Sequence, residues 1–184
     1  MQTKTKYLIA VIPPEPIYSE IIAFKNEIHK NYNSKGSLNS PPHITLHMPF
    51  EFSDKKLDLL YSSLDDIAKS ATNFEVELSN FGFFEPRVIF VAVEKNDALA
   101  DLHFKIKEKV KLKHFIFNAN YRDRIDFRPH ITIGFRDLKK EQFYLAKTEF
   151  EKKEFKKSFA VNSFFLLEKK DKTWEIKKEF TFNA

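Results

Sequence analysis

The sequence predicts an α+β fold: a bilobal, pseudo-twofold duplication of mostly antiparallel sheets, with helices packed on the outside and a central cleft. Three observations carry that prediction. Segments with strand periodicity are interleaved with segments of helix periodicity and joined mostly by short turns. The order of motif strand, helix and further strands occurs twice. The tetrapeptide Pro-His-Ile-Thr stands at Pro42–Thr45 and again at Pro129–Thr132, half a chain later. Each copy trails into a phenylalanine, Phe50 and Phe135, and beyond that the halves share little sequence. The duplication therefore rests on the order of elements rather than on identity.

The elements follow in turn. Tyr7–Ile12 is an apolar run ending at Pro13-Pro14 and reads as a first strand, not as a leader with a small-residue cleavage site. From Pro16 to His29, Ile17, Ile21, Ile22, Phe24 and Ile28 form a helical stripe. Asn31–Asn39 is a polar loop, and Ser34–Ser37 within it is read as a lid over the first motif. After the motif strand, Ser53 or Asp54 is placed to cap a helix from Lys55 to Ser70. Phe74–Phe81 alternates as a strand, and Val88–Val93 is nearly continuous in apolar residues. Asn96 or Asp97 caps a helix to Val110, and Lys113–Phe127 is a longer connection rich in Asn and Arg. After the second motif, Lys139–Lys153 is helical in pattern. Ser158–Lys169 and Trp174–Phe182 are strands about the turn Lys170-Asp171-Lys172.

With 184 residues, 42% of them hydrophobic and 21 of them Phe, the chain can bury one sizeable core, and residues 1–184 are expected to be a single domain of two lobes. No apolar run is long enough to span a bilayer, so no membrane association is expected and a cytoplasmic location is the default. The absence of cysteine excludes disulfides, thiolate chemistry and Cys-ligated zinc. The net charge of +5 suits an anionic ligand without establishing one. Arginine is sparse: Arg87, Arg122, Arg124, Arg128 and Arg136 are all there is, and four of them bracket the second motif. A planar guanidinium fork suits phosphate oxygens better than an ammonium does, so the cluster is either phosphate-facing or an ordinary surface loop.

A strand alternates its side chains between two faces. In the first copy His43, Thr45 and His47 are expected on one face and Ile44, Leu46 and Met48 on the other. In the second, His130, Thr132 and Gly134 oppose Ile131, Ile133 and Phe135. Each copy thus has an apolar face for a core and a face with imidazole beside hydroxyl. Two such polar faces across a pseudo-twofold axis give two imidazoles and two hydroxyls in one cleft. Near neutral pH one ring can accept a proton while the other donates one, as in-line displacement at phosphorus requires. The hydroxyls and nearby arginines would hold the non-bridging oxygens.

The paired motifs resemble those of the two-histidine (2H) phosphoesterase superfamily, which includes 2′-5′ RNA ligase-like proteins and cyclic phosphodiesterases. The PPHITL form followed by Phe50 is especially similar, and the resemblance covers nearly the whole chain. It implies a bilobal α+β fold and metal-free action, with no cofactor, on 2′,3′-cyclic phosphates or 2′-5′ phosphodiesters of RNA ends or nucleotides. It also implies that His43 and His130 are the acid/base pair and that Thr45 and Thr132 bind the phosphate. Arg87 and Arg128 are further candidates for substrate contact. Two roles are open for His47: a phosphate contact from the cleft wall, or no more than a strand end. His43 and His47 also look like two metal ligands, but no further ligand pattern accompanies them, and no metal site is expected. Phe81, Phe83 and Phe84, beside Arg87, are read either as a platform for a base or as core. His29, His103 and His114 are expected to do no chemistry, and the chain is expected to be a monomer. The alternative is a module that binds RNA ends or a phosphate metabolite without turnover. A further alternative is an α+β domain whose site lies elsewhere.

Overall fold

The structure, a computed structural model, describes residues 4–114, 116 and 127–183. Eight strands and four helices run in the order β1 (Lys4–Val11), α1 (Ile17–Tyr32), β2 (Ile44–Ser53), α2 (Leu57–Lys69), β3 (Phe74–Phe84), β4 (Val88–Val93), α3 (Asp97–His114), β5 (His130–Gly134), α4 (Lys140–Phe150), β6 (Lys156–Val161), β7 (Ser163–Lys170) and β8 (Thr173–Thr181). The strands form one curled antiparallel sheet in the order β6-β3-β4-β5-β2-β1-β7-β8. The two motif strands, β2 and β5, are its central neighbours, joined through the pair Ile44 and Ile131. On either side of that seam β1 corresponds to β4, both flanking a motif strand.

The helices interlock the halves. Helix α1, which precedes β2 in the chain, packs on β5, while α3, which precedes β5, packs on β2. Each motif strand is therefore backed by the helix of the other half. Ile44, Leu46, Ile131 and Ile133 are fully buried beneath these helices in one core with Ile21, Ile28, Leu102 and Ile106. Burying a side chain of this size stabilises by about 1.5–3 kcal/mol, so the apolar face of each motif is held firmly.

Two of these local readings are corrected and a third is narrowed to one residue. The stretch Ser158–Lys169 is not one strand. It breaks at Asn162, β6 pairs with β3 and β7 with β1, and the chain passes from one lobe to the other at that residue. Apolar content on both sides of Asn162-Ser163 hid the break, and β7 is buried on both faces. Ser53 and Asp54 do not cap α2, because the Asp54 carboxylate accepts from the hydroxyls of Tyr7 and Thr5. Asn96 does cap α3, its Oδ1 accepting from the Leu99 N–H at 2.8 Å.

The segment Ser34–Ser37 is a fixed strap rather than a lid. Asp137, just past β5, accepts from the Ser34 hydroxyl at 2.7 Å and from the backbone N–H groups of Lys35 and Gly36. The Ser37 hydroxyl donates to the Ile133 carbonyl at 2.6 Å. Gly36 allows this approach, for a Cβ there would lie 2.8 Å from the Phe135 carbonyl oxygen and 2.9 Å from Asp137 Oδ1. Burial works to raise the Asp137 pKa, but the Ser34 hydroxyl and the two N–H donors outweigh it and hold the carboxyl below its ordinary range.

A depressed carboxylate stabilises the fold above its unfolded pKa of about 3.9 and loses that contribution as pH falls through the folded value. Asp137→Ala should therefore cost about 0.5–1.5 kcal/mol at pH 7, because solvent screens this exposed carboxylate, and the difference from wild type should shrink below about pH 4. Urea unfolding at the two pH values checks this; a difference independent of pH would mean the carboxylate charge contributes nothing.

Candidate active site

The seam at Ile44 and Ile131 decides where the polar side chains go. Both isoleucines point into the core, so their neighbours on each strand point to the opposite, concave face. Continuing the antiparallel register by one residue sets His43 across from Thr132, and Thr45 across from His130. The four side chains form a square with imidazoles on one diagonal and hydroxyls on the other. All four are half-buried. Residues on such a diagonal lie roughly 7–8 Å apart, leaving room for one tetrahedral phosphate between the ring tips.

The two histidines are held by the same local device. His43 Nδ1–H donates to the Pro41 carbonyl at 2.8 Å, and His130 Nδ1–H donates to the Arg128 carbonyl at 2.7 Å. In each case the acceptor lies two residues back, across the motif proline. A carbonyl can only accept, so each neutral ring carries its proton on Nδ1 and keeps the Nε2 lone pair free.

The two rings differ electrostatically. Burial pushes the His43 pKa down to about 4; its bond to Pro41 opposes the shift, while the charges of Lys25 and His130 add to it. Burial also lowers the His130 pKa, opposed by the bond to Arg128, and Lys25 is not among its causes. His130 is thus the ring that takes a proton more readily.

Lys25, on α1, gave no signal in the sequence beyond a lysine within a helical stripe. It is 1% exposed. Its ammonium donates to the carbonyls of Ser37 at 3.0 Å and Ser40 at 2.8 Å, holding the strap that leads into the first motif. Burial lowers its own pKa to about 7.

Beyond the square, the structure sorts the other candidates. His47 does not share the face of His43 and Thr45. The β1–β2 register slips between Ile9 and Ala10, which sets His47 opposite core residue Ile9. It is 6% exposed, bonded through Nδ1–H to its neighbour's Met48 carbonyl, with its ring edge against Phe50 and the charges of His103 and Lys107 on α3 acting on it. Strict alternation could not reveal a bulge of this kind. Phe81 packs in the core against Phe24 and Phe150, and Phe83 packs against Phe143. Phe84 alone of the three reaches the site, its ring 5.1 Å from that of His130 and 4.5 Å from that of Phe90. Phe90, which the sequence reading did not single out, lies 4.9 Å from His130 and covers Gly82, where a Cβ would meet its ring at 2.2 Å.

Arg87 is exposed at the β3–β4 turn, three residues past Phe84. The Arg128 side chain is exposed, and its carbonyl is the part that holds His130. Arg122 and Arg124, and most of the Lys113–Phe127 connection, lie outside the described residues. His103 has a structural part: its Nδ1–H donates to the Leu46 carbonyl at 2.7 Å, and its ring stacks on Phe127 at 4.1 Å. His114 bonds the Ser63 hydroxyl through Nε2. Among the described residues, no three His, Asp or Glu side chains converge as a metal-binding group, and no helix is long and apolar enough to cross a membrane.

Comparison with known proteins points one way. Residues 13–173 match the family model of the 2′-5′ RNA ligase superfamily. A protein of Oceanobacillus iheyensis named "Putative phosphoesterase" is 31% identical over 178 residues, 95% of this chain and 96% of its own length. Another of the same description, from Geobacillus kaustophilus, is 35% identical over 135 residues, 72% of this chain and 70% of its own. Two crystal structures share the fold: E. coli LigT complexed with 3′-AMP (TM-score 0.70, 18% identity, 99% of this chain and 100% of that one) and a protein of Thermus thermophilus (TM-score 0.70, 19% identity, 96% and 97%).

Lys25→Met fills the same buried space but leaves the Ser37 and Ser40 carbonyls without their donor, so it should lower stability by about 1–3 kcal/mol. It should also raise the His43 pKa by removing a neighbouring positive charge while leaving that of His130 in place. Imidazole titrations followed by NMR check this; equal midpoints for His43 in wild type and variant would show that the Lys25 charge does not reach it.

Proposed function

The chain belongs to the 2′-5′ RNA ligase superfamily, and we propose that it is a phosphoesterase that opens 2′,3′-cyclic phosphates or cleaves 2′-5′ phosphodiesters of RNA ends or nucleotides, using His43 and His130 as its acid/base pair. The observation that supports this best is the matched pair of Nδ1–H bonds to Pro41 and Arg128, which leaves two Nε2 atoms free beside two hydroxyls. A pure binding module has no use for two rings fixed in the same tautomer.

The proposed step for a cyclic phosphate balances on side chains alone. The phosphate lies over the square, its non-bridging oxygens accepting from Thr45 and Thr132. His43 Nε2 takes the proton of a water whose oxygen attacks phosphorus. The bond from phosphorus to one ribose oxygen breaks in line, and that oxygen receives the Nε2 proton of protonated His130. Lys25 supports this direction, because its charge bears on His43 and favours the neutral base there. The same groups act on a 2′-5′ diester with a hydroxyl as the attacking group. No metal ion is required by the step.

Two measurements test the reading. Turnover of RNA ending in a 2′,3′-cyclic phosphate and of a 2′-5′-linked dinucleotide, in EDTA, should fall on the order of a hundredfold or more in both His43→Ala and His130→Ala. Unchanged activity in both variants would overturn the assignment, and saturable binding of both ligands without turnover would favour the binding module.

The pH profile gives an independent check. In the free protein the productive form has His43 neutral and His130 protonated. The rate constant kcat/KM should then rise through a pKa near that of His43, about 4, and fall through the lowered pKa of His130. Its maximum should lie on the acidic side of the ordinary histidine value of about 6.5. The kcat profile should lie at higher pH, because the bound phosphate charge stabilises imidazolium. A kcat/KM maximum well above pH 7 would contradict the pair as described.

A further inference from the structure

A groove of about 470 Å³ lies beside the first motif, between the β7–β8 hairpin, the end of the strap and the start of α1. Trp174 and Ile176 line it from the hairpin, Pro41 from the strap, and Tyr18 and Ile22 from α1. The sheet register shows which face it opens on. Thr45 pairs with Ala10, and Leu8, on the same face of β1, pairs with Leu167; Leu167 pairs with Ile176, and Lys169 with Trp174. Paired residues share a face, so Trp174 and Ile176 stand on the catalytic face with Thr45 and His43. The groove also touches the catalytic machinery directly, because Pro41 both lines it and supplies the carbonyl that holds His43.

Its lining is suited to a planar ring with a charged neighbour. Trp174 is half-buried against a small apolar cluster of Leu8, Ala10 and Leu167 on this face, and Ile176 beside it remains 54% exposed. Lys169 Nζ lies 5.3 Å from the Trp174 ring centre, and the charge of Arg136 acts on it. Neither cation has a carboxylate partner among the described residues. A cation over a half-buried aromatic, with the charge of a second cation reaching it, favours an anion at the rim and a π-face within.

We infer that this groove is a second nucleoside subsite, in which Trp174 stacks a base on the His43 side of the scissile phosphate while the Phe84–Phe90 wall takes the base on the His130 side. This rests on the phosphoesterase reading and extends it: the substrate is a phosphodiester with a nucleoside on each side, an RNA end or dinucleotide, rather than a mononucleotide cyclic phosphate. Lys169 and Arg136 meet the next phosphate along such a chain.

Trp174 is the single tryptophan of the sequence, so its emission reports on the groove directly. Titration with a 2′-5′-linked diadenosine monophosphate, corrected for absorbance with free tryptophan, should quench that emission saturably. Inorganic phosphate and 2′,3′-cyclic AMP should leave it unchanged. Trp174→Leu should raise KM for the dinucleotide about tenfold, the loss of one base-stacking contact, with kcat and the KM for cyclic AMP within about twofold of wild type. Absence of quenching by the dinucleotide, or a KM unaffected by Trp174→Leu, would overturn the subsite. The two readings fail separately. Quenching without turnover of either ester leaves the subsite and removes the chemistry; histidine-dependent turnover without quenching does the reverse.

Discussion

The pairing of Ile44 with Ile131 is the contact on which the rest depends. It is a short join, one pair at the centre of an eight-stranded sheet, yet it fixes the relative height of two motifs that are far apart in sequence. A slip of one residue would turn either histidine into the core and an isoleucine onto the concave face. The cost of that slip is large, because Ile44, Leu46, Ile131 and Ile133 are all fully buried. The apolar faces therefore specify the geometry of the polar ones. The exchange of helices, α1 onto β5 and α3 onto β2, ties this register to both halves of the chain at once.

A symmetric square of two imidazoles and two hydroxyls has no preferred direction of proton flow. Lys25 supplies one. Its charge bears on His43 and is not among the influences on His130, and the strap it holds is also fixed by Asp137 and Ile133 from the second half. A buried ammonium bonded to carbonyls alone is costly to charge, which is why its pKa falls to about 7. A phosphate anion bound nearby would favour the charged form of Lys25 and of both histidines together. Substrate binding and protonation of the site are then one coupled equilibrium.

The sequence made the α+β class and the motif strands legible for a simple reason. A period-two pattern flanked by proline depends only on local geometry, and the same holds for the helical stripes and the Asn96 cap. What stayed hidden depends on residues distant in the chain. His47 was misplaced because a bulge between β1 and β2 breaks the alternation that would have put it in the cleft. The strap looked like a lid because its polar, glycine-containing sequence gives no hint of Asp137 a hundred residues on. Phe90 was lost inside an apolar strand, and its role beside His130 comes from Gly82 on the neighbouring strand leaving space for its ring. Lys25 stands on the apolar stripe, four residues past Ile21 and three before Ile28, but the carbonyls that accept from its ammonium belong to the strap, which the stripe does not reveal.

The duplication is close at the floor of the site and fails at its walls. On the floor, each histidine follows a proline, bonds the carbonyl two residues back and neighbours a threonine. The wall beside His130 is built by the β3–β4 hairpin, with Phe84 and Phe90 on its inner side. The wall beside the first motif is built by β7–β8, which carries Trp174, Ile176 and Lys169 and reaches the strap. These hairpins come from different parts of the chain and share no sequence pattern. The proposed proton transfer needs only the floor, and two like halves suffice for it. Distinguishing the two sides of a phosphodiester needs walls that differ, and the departures from symmetry lie where that distinction would be made.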